Sequence, residues 1–153
     1  MAYDIRNSFT QSVSGSTYDL YQDISGAAEN STNILDWDVA GIVISGAAKA
    51  LWWILYVGVA ADACVSMAFR LTTATAANLT SGAKQIMEPR FLQAQMSAGA
   101  LLINQGLPHM DYQRFMGIVF TPFTNDNALT VNSWLADGPE PAQSDLDVVV
   151  GAS

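Results

Sequence analysis

The longest apolar stretch of the chain, ALWWILYVGVAADACVSMAFRL at residues 50–71, raises the first question about its fold. A membrane-spanning helix needs about 18 or more apolar residues with few charges. Lys49 and Asp62 bracket the uncharged run 50–61. A helix of that length would rise only about 18 Å, against a hydrocarbon core of about 30 Å. A charge at the centre of a longer span would cost about 2.5–3.5 kcal/mol. The pattern therefore disfavours a membrane span.

The same stretch shows the period-two alternation of β-strands. From residue 64 to 72, apolar side chains alternate with small or polar ones, so one face is apolar and the other mostly polar. Residues 51–59 are rich in aromatic and β-branched side chains, which favour strands. The tetrapeptide AADA at 60–63 separates the two runs as a short turn. We therefore predict a hairpin with strands at about 51–60 and 63–72.

The first strand of this hairpin is apolar on both faces. A strand in a two-layer sandwich normally buries one face only. We predict that one set of side chains lies in the core, and that the other lies beneath another segment or against another subunit. Trp52, Trp53 and Tyr56 are therefore candidate residues of an oligomer interface. The two sets are Trp52, Ile54 and Tyr56 on one face, and Trp53, Leu55, Val57 and Val59 on the other.

Shorter alternating runs continue along the chain. Strands are predicted near residues 33–37, in KQIMEPRF up to Pro89, in ALLINQGLP, in DYQRFMGIVFTPF and in ALTVNSWLAD. Turn clusters such as TNDN at 124–127 separate them. About seven short strands without a long helical period predict an all-β fold, an antiparallel β-sandwich of jelly-roll type, over residues 34–139. Residues 140–153 are predicted to form a C-terminal tail, with 148–150 as a candidate docking strand.

Residues 1–33 are polar and rich in turn-forming residues, but apolar side chains recur along them at wide spacing. The segment is too polar to build a core, and too aromatic for a solvated tail, because exposed Phe and Tyr promote association. We predict an extended N-terminal arm that becomes ordered on a binding partner. Deleting residues 2–28 should then leave the sandwich folded. The apolar positions are Ile5, Phe9, Val13, Tyr18, Leu20, Tyr21 and Ile24.

Composition excludes several function classes. The chain has 153 residues, of which 50% are hydrophobic, so one domain with a core is expected. The net charge is −8, and the 6 Lys and Arg residues are scattered, whereas nucleic-acid binding needs clustered cations. A single cysteine, Cys64, excludes an internal disulfide. The start MAYDIRNSFTQ lacks the cationic and apolar regions of a secretory signal.

Residues that would support catalysis or metal binding are sparse. His109 is the only histidine, and no His or Cys partner stands at ligand spacing, so no metal site is predicted. Asp126 in TNDN suits a turn better than a calcium site. No base is indicated near Cys64, which is therefore expected to be a structural thiol. The motifs GxSxG, P-loop and GxGxxG do not occur. We therefore predict that the chain is not an enzyme and holds no cofactor.

One pair of carboxylates supports an alternative function. Asp36 and Asp38 flank Trp37, and would share one face of a strand. Paired carboxylates beside an aromatic ring can perform glycoside chemistry, although two solvated acids at a strand end are the simpler interpretation. A carbohydrate-binding or hydrolytic jelly-roll domain is the alternative that these residues leave open.

The order of several short motifs over roughly residues 31–139 matches a known pattern. STNILDW precedes the apolar strand ILYVGV, which is followed by SMAFRLTTAT. SAGALLINQGLP then leads into YQRFMGIVFTPFTNDNALTVNSWLADGP, with an acidic, proline-containing end. This order resembles the small capsid cement, or decoration, proteins of tailed bacteriophages, a β-sandwich family. The first 30 residues and those after Pro141 lie outside the resemblance.

The resemblance implies a virion protein, made in the host cytoplasm, that binds the outer surface of an assembled phage capsid. Such a protein links neighbouring major capsid subunits, often as a trimer near threefold positions. The implied partners are the major capsid protein and further copies of the chain, without substrate, cofactor, nucleic acid or membrane. Within this hypothesis the N-terminal arm contacts the capsid. The arm residues assigned to that contact are Ile5, Phe9, Val13, Tyr18 and Tyr21.

Overall fold

A computed structural model of the chain describes residues 8–14, 17–24, 26–38, 42–43, 51–126 and 128–140. These ranges contain 14 β-strands and a single-turn 3-10 helix at Gln93–Gln95. None of them forms a helix long and apolar enough to cross a membrane. The strands are β1 (Ser12–Ser14), β2 (Thr17–Asp19), β3 (Gln22–Asp23), β4 (Glu29–Asn30), β5 (Leu35–Asp36), β6 (Ile42–Val43), β7 (Trp52–Val57), β8 (Ser66–Ala74), β9 (Lys84–Met87), β10 (Arg90–Leu92), β11 (Leu101–Gly106), β12 (Asp111–Tyr112), β13 (Phe115–Phe123) and β14 (Thr130–Ala136).

Two antiparallel sheets pack against each other, which confirms the predicted all-β sandwich. In the six-stranded sheet, β8 and β13 are the central pair; β9 and β10 continue the sheet from β8, and β4 and β5 continue it from β13. The four-stranded sheet has the order β11-β7-β14-β3. Two further antiparallel pairs, β1 with β2 and β6 with β12, lie outside these sheets.

The main core lies between the two sheets, because apolar side chains alternate along their central strands. Each large side chain buried there contributes about 1.5–3 kcal/mol. The rings of Phe69 and Phe120 meet edge to face, with centroids 5.8 Å apart. The central strands contribute Met67, Phe69 and Leu71 from β8, Met116, Ile118 and Phe120 from β13, Trp53, Leu55 and Val57 from β7, and Val131 and Leu135 from β14.

The predicted hairpin of residues 51–60 and 63–72 is wrong. β7 belongs to the four-stranded sheet and β8 to the six-stranded sheet, so the two strands face each other across the core. The intervening segment crosses between the sheets. Its AADA sequence contains no Gly or Asn, which tight hairpin turns need for positive φ. Asp126 holds the crossing: its Oδ2 accepts from the backbone N–H groups of Asp62, Ala63 and Cys64 at 3.0, 3.1 and 3.0 Å.

The described part of the predicted N-terminal arm is built into the sandwich. Phe9 is fully buried in the main core, and its N–H donates to the backbone oxygen of Ser133 at 2.8 Å. Ile24 is also buried, and its N–H donates to the backbone oxygen of Leu129 at 2.8 Å. β3 pairs with β14, and β4 pairs with β13. In the structure, therefore, residue 33 does not divide an arm from a domain.

Candidate functional site

The outer face of the four-stranded sheet carries a second apolar cluster, separate from the main core. We call it the aromatic face. Strand register creates it, since Ile54 lies opposite Trp134, and Trp52 lies opposite Ala136. The two faces of β7 therefore serve different clusters, as predicted from its apolar residues. The aromatic face consists of Trp52, Ile54, Tyr56, Leu101, Trp134 and Ala136.

The side chains of the aromatic face are tightly packed but only partly covered. The rings of Tyr56 and Trp134 stack at 5.9 Å, with planes 15° apart. Ile54 is fully buried beneath them, whereas Trp52 and Tyr56 are half-buried. Burial raises the pKa of Tyr56, and the nearby charge of Glu140 adds to that effect. This face therefore presents two large aromatic rings that further contacts can cover.

Glu140, the last described residue, is hydrogen-bonded to the edge of the same sheet. The side-chain amide of Asn104 donates to the backbone oxygen of Glu140 at 3.0 Å, and the Glu140 N–H donates to Asn104 Oδ1 at 3.0 Å. Asn104 lies opposite Ile54 in the sheet register, so the described chain ends beside the aromatic face. The predicted docking strand at 148–150 lies outside the described residues.

The three predicted interface residues separate in the structure. Trp52 and Tyr56 lie on the aromatic face, as an interface would require. Trp53 does not, because its side chain is fully buried in the main core. Its indole N–H donates to the hydroxyl of Ser133 at 2.9 Å. Trp53 is therefore a core residue in this fold, and its assignment to an oligomer interface is corrected. Val59, expected on the same face as Trp53, is instead 52% exposed.

The residues predicted to contact a capsid do not share one surface. Phe9 is buried and unavailable for docking, which corrects its assignment. Tyr21 is 43% exposed, and its ring lies against Gly58, where an added Cβ would come within 2.6 Å of it. Val13 and Tyr18 lie opposite each other in the β1–β2 pair. Ile5 lies outside the described residues. Of the two aromatic residues in this set whose side chains the structure describes, Phe9 is buried and Tyr21 is exposed.

A second outer surface, on the six-stranded sheet, was not singled out from the sequence. We call it the arginine face and define it by Arg70, Arg90, Leu92 and Phe123. Leu92 and Phe123 are 58% and 61% exposed, and both lie opposite Ser66, on either side of β8. The alternation of residues 64–72 already placed Arg70 on the polar side of its strand. That alternation does not show which side chains of the neighbouring strands lie beside Arg70 on the same face.

The carboxylates of the carbohydrate hypothesis are engaged in an ion pair. Arg114 binds Asp36 with two contacts, Nε to Oδ1 at 2.7 Å and Nη2 to Oδ2 at 2.9 Å. Arg114 also lies 3.5 Å from Asp38 Oδ1, so the two acids do share one side. Hydrogen bonds from Arg114, with one from the Asp38 N–H, lower the pKa of Asp36 to about 2. Asp36 is therefore a poor proton donor near neutral pH.

Trp37 does not form an open sugar-binding platform beside these acids. Its side chain is half-buried and packs against the main core. Its indole nitrogen is buried and has no hydrogen-bond partner among the described residues. A stacking platform for sugars needs an exposed ring face, and the packing of Trp37 against the core reduces the ring surface that a sugar could contact.

Asp126 and Cys64 form a buried joint between strands. In addition to the three N–H groups on its Oδ2, Asp126 accepts from Ala128 and Leu129 on Oδ1, at 3.0 and 2.8 Å. Burial opposes ionisation of Asp126, but the backbone donors outweigh it and lower its pKa. Burial, together with the hydrogen bond and charge of Asp126, raises the pKa of Cys64 to about 12. Both residues therefore have structural roles.

An open groove of about 960 Å³ runs between one edge of each sheet. β9 and β10 form one wall, and β11 forms the other, with Leu101 shared between the groove and the aromatic face.

Over the part of the chain that the structure describes, no three His, Cys, Asp or Glu side chains are grouped to hold a metal ion. No family model matches the chain, and no curated protein matches it.

Proposed function

We propose that the chain is a structural protein of a bacteriophage virion. It binds the outer surface of the assembled capsid, and stabilises the contacts between major capsid subunits. The aromatic face is the observation that carries this proposal, because a sandwich needs no second apolar layer on its outside. Large apolar surfaces on folded proteins are characteristic of interaction sites. The order of motifs in the sequence supports the same function.

In this function the aromatic face joins copies of the chain, as a trimer. Trp52 and Tyr56 are large, half-buried and packed against the buried part of the face, and large aromatic side chains are common interface anchors. Association covers their rings without disturbing the core, because the main core lies on the other side of the sheet. Several modest contacts per assembly then act together through effective concentration on the capsid surface.

Stabilisation of the capsid follows from mass action. A protein that binds only the assembled state lowers the free energy of that state, by an amount set by its concentration and affinity. Subunits separate only after these added contacts break. The two outer faces of a sandwich point in opposite directions, so one molecule can contact two neighbours.

The test compares capsids assembled without the chain before and after its addition. Purified chain should sediment with the capsids, and should raise the temperature at which they disassemble. Trp52→Ser combined with Tyr56→Ser should convert the trimer to monomer in analytical ultracentrifugation, and weaken capsid attachment at least tenfold through lost avidity. Val59→Ser is the matched control, because its side chain is exposed and lies outside the aromatic face. A wild-type chain that fails to bind capsids would contradict the function.

A carbohydrate-binding or hydrolytic function is the weaker alternative. Asp36 is held ionised by Arg114, and the Trp37 ring packs inward. Glycan binding or turnover that disappears in Asp36→Ala, with capsid binding absent, would favour this alternative over the structural role.

A further inference from the structure

The arginine face carries two exposed apolar side chains. Leu92 of β10 and Phe123 of β13 stand on either side of Ser66, about 10 Å apart at the spacing of adjacent strands. Ser66 and Ala68, the small residues of β8 on this face, are buried by their neighbours. Leu92 and Phe123 are more than half exposed, so both are available for contact.

Two arginines lie on the same face. Arg90 lies opposite Ala68, and Arg70 follows it along the outer face of β8, opposite Val119. Arg90 Nη1 donates to Ser66 Oγ at 3.2 Å, which holds its head group against Ser66. Among the described residues, neither Arg70 nor Arg90 has a carboxylate within salt-bridge distance, whereas Arg114 contacts both Asp36 and Asp38.

This combination is unusual for so acidic a chain. The net charge is −8, and only 6 residues are Lys or Arg, yet two arginines with no carboxylate of the described residues in salt-bridge range share one surface with two exposed apolar side chains. Arg side chains pair with carboxylates through strong, directional hydrogen bonds. A complementary surface would present carboxylates beside apolar side chains.

We propose that the arginine face is a docking site for an acidic protein surface, and that this surface belongs to the major capsid protein. The assignment rests on the proposed function. A carboxylate of the capsid protein pairs with Arg70 or Arg90, while apolar side chains of the capsid protein pack against Leu92 and Phe123. Nucleic acid and anionic lipid fit less well, because two arginines are few for a polyanion.

The experiment measures binding of the full chain to capsids assembled without it, over a range of salt concentrations. Arg70→Gln combined with Arg90→Gln should weaken binding about tenfold or more, and flatten its salt dependence. Phe123→Ser should weaken binding while leaving the salt dependence unchanged. Arg114→Gln is the matched control, since it also removes a positive charge but lies outside the arginine face. Melting temperatures confirm that each variant is folded.

The outcomes separate the inference from the function on which it rests. If wild-type chain binds capsids and the double arginine variant binds equally well, the arginine face is not the docking site, although the proposed function stands. If the wild-type chain does not bind capsids, the function fails and the capsid is excluded as the occupant. If the arginine variant dissociates a self-assembled oligomer but binds capsids normally, the occupant is a second copy and the proposal is wrong.

Discussion

The indole N–H of Trp53 donates a hydrogen bond to the hydroxyl of Ser133 at 2.9 Å, and that hydroxyl donates in turn to the backbone oxygen of Ile54 at 2.8 Å. The chain of bonds links β7 to β14 through buried side chains. It supplies a partner for the polar end of an otherwise apolar ring. The largest side chain of the core is thereby held in one orientation.

Replacing Ser133 by Ala should lower the free energy of unfolding by about 1–3 kcal/mol, because the Trp53 N–H would remain buried without a partner. Chemical denaturation monitored by tryptophan fluorescence measures the difference. Ser97→Ala is the control, since its side chain is exposed. Equal stability of the two variants would show that the hydrogen bond contributes nothing measurable.

Phe9 and Tyr21 were both assigned to a capsid-contacting arm from the sequence. Replacing each by Ala should lower the free energy of unfolding by very different amounts. Phe9→Ala removes a fully buried ring, and should cost about 3–5 kcal/mol. Tyr21→Ala removes a ring that is 43% exposed, and should cost about 1 kcal/mol or less. Thermal unfolding of the two variants compares them directly. A stable Phe9→Ala variant would restore the arm hypothesis.

Deleting residues 2–28 is correspondingly expected to unfold the protein. The deletion removes both Phe9 and Ile24 from the core, together with the β3 pairing to β14. This reverses the expectation from the sequence alone. Far-UV circular dichroism of the truncated chain, with the loss of its cooperative thermal transition as the expected result, decides between the two.

Asp126 should be among the most sensitive polar residues. Asp126→Ala leaves five backbone N–H groups without their acceptor, and should cost about 3 kcal/mol or more. Asp137→Ala is the control, because that side chain is exposed. Urea denaturation at neutral pH provides the measurement, and a cost below about 1 kcal/mol would contradict the role assigned to this joint.

The same carboxylate predicts a dependence of stability on acid. The pKa of Asp126 is lower in the folded chain than the value of about 3.9 expected for an unfolded one. Its contribution is therefore fully present above about pH 4, and is lost as the pH falls from there towards the folded pKa. The difference in unfolding free energy between pH 7 and pH 3 should be smaller in Asp126→Asn than in wild type. An unchanged difference would assign the acid sensitivity to other groups.

Gly117 should not tolerate a larger side chain. A Cβ at this position would come within 2.6 Å of Ile34 Cδ1 and 2.7 Å of Leu79 Cδ1, because loops from both sides close over β13 there. Gly117→Ala should lower stability by about 1–3 kcal/mol. Gly138→Ala is the control, since its added Cβ would meet nothing within 4 Å. Thermal denaturation distinguishes them, and equal melting temperatures would mean that the covering loops move aside freely.

Period-two alternation was enough to identify the long central strands but not the short N-terminal ones, and it did not show how the strands pair. The runs that became β13 and β14 were visible because each has one apolar and one polar face. The apolar content of both faces of β7 correctly indicated two clusters. Its partner was misassigned because proximity in sequence favoured β8. The segment between the two strands instead crosses to the other sheet, where Asp126 accepts hydrogen bonds from three of its N–H groups.

The N-terminal segment shows a different reason for failure. Its average polarity suggested an arm, yet a strand in a sandwich needs only one or two apolar side chains where it meets the core. Phe9 and Ile24 supply these, while their neighbours face solvent or form hydrogen bonds. The arginine face was invisible for a related reason. Arg90, Leu92 and Phe123 join Arg70 only through strand register, which local sequence does not encode.

The burial of Cys64 makes the reactivity of its thiol a measure of how often the surrounding structure opens. The thiol is fully shielded, and its pKa of about 12 leaves almost no reactive thiolate at neutral pH. Thiol reagents therefore modify it only when the joint held by Asp126 opens. The rate at which a thiol reagent labels Cys64 therefore measures how often this joint opens, and no further cysteine has to be introduced. On an assembled particle, the same labelling rate would show whether attachment reduces the local opening of the sandwich or leaves it as frequent as in solution.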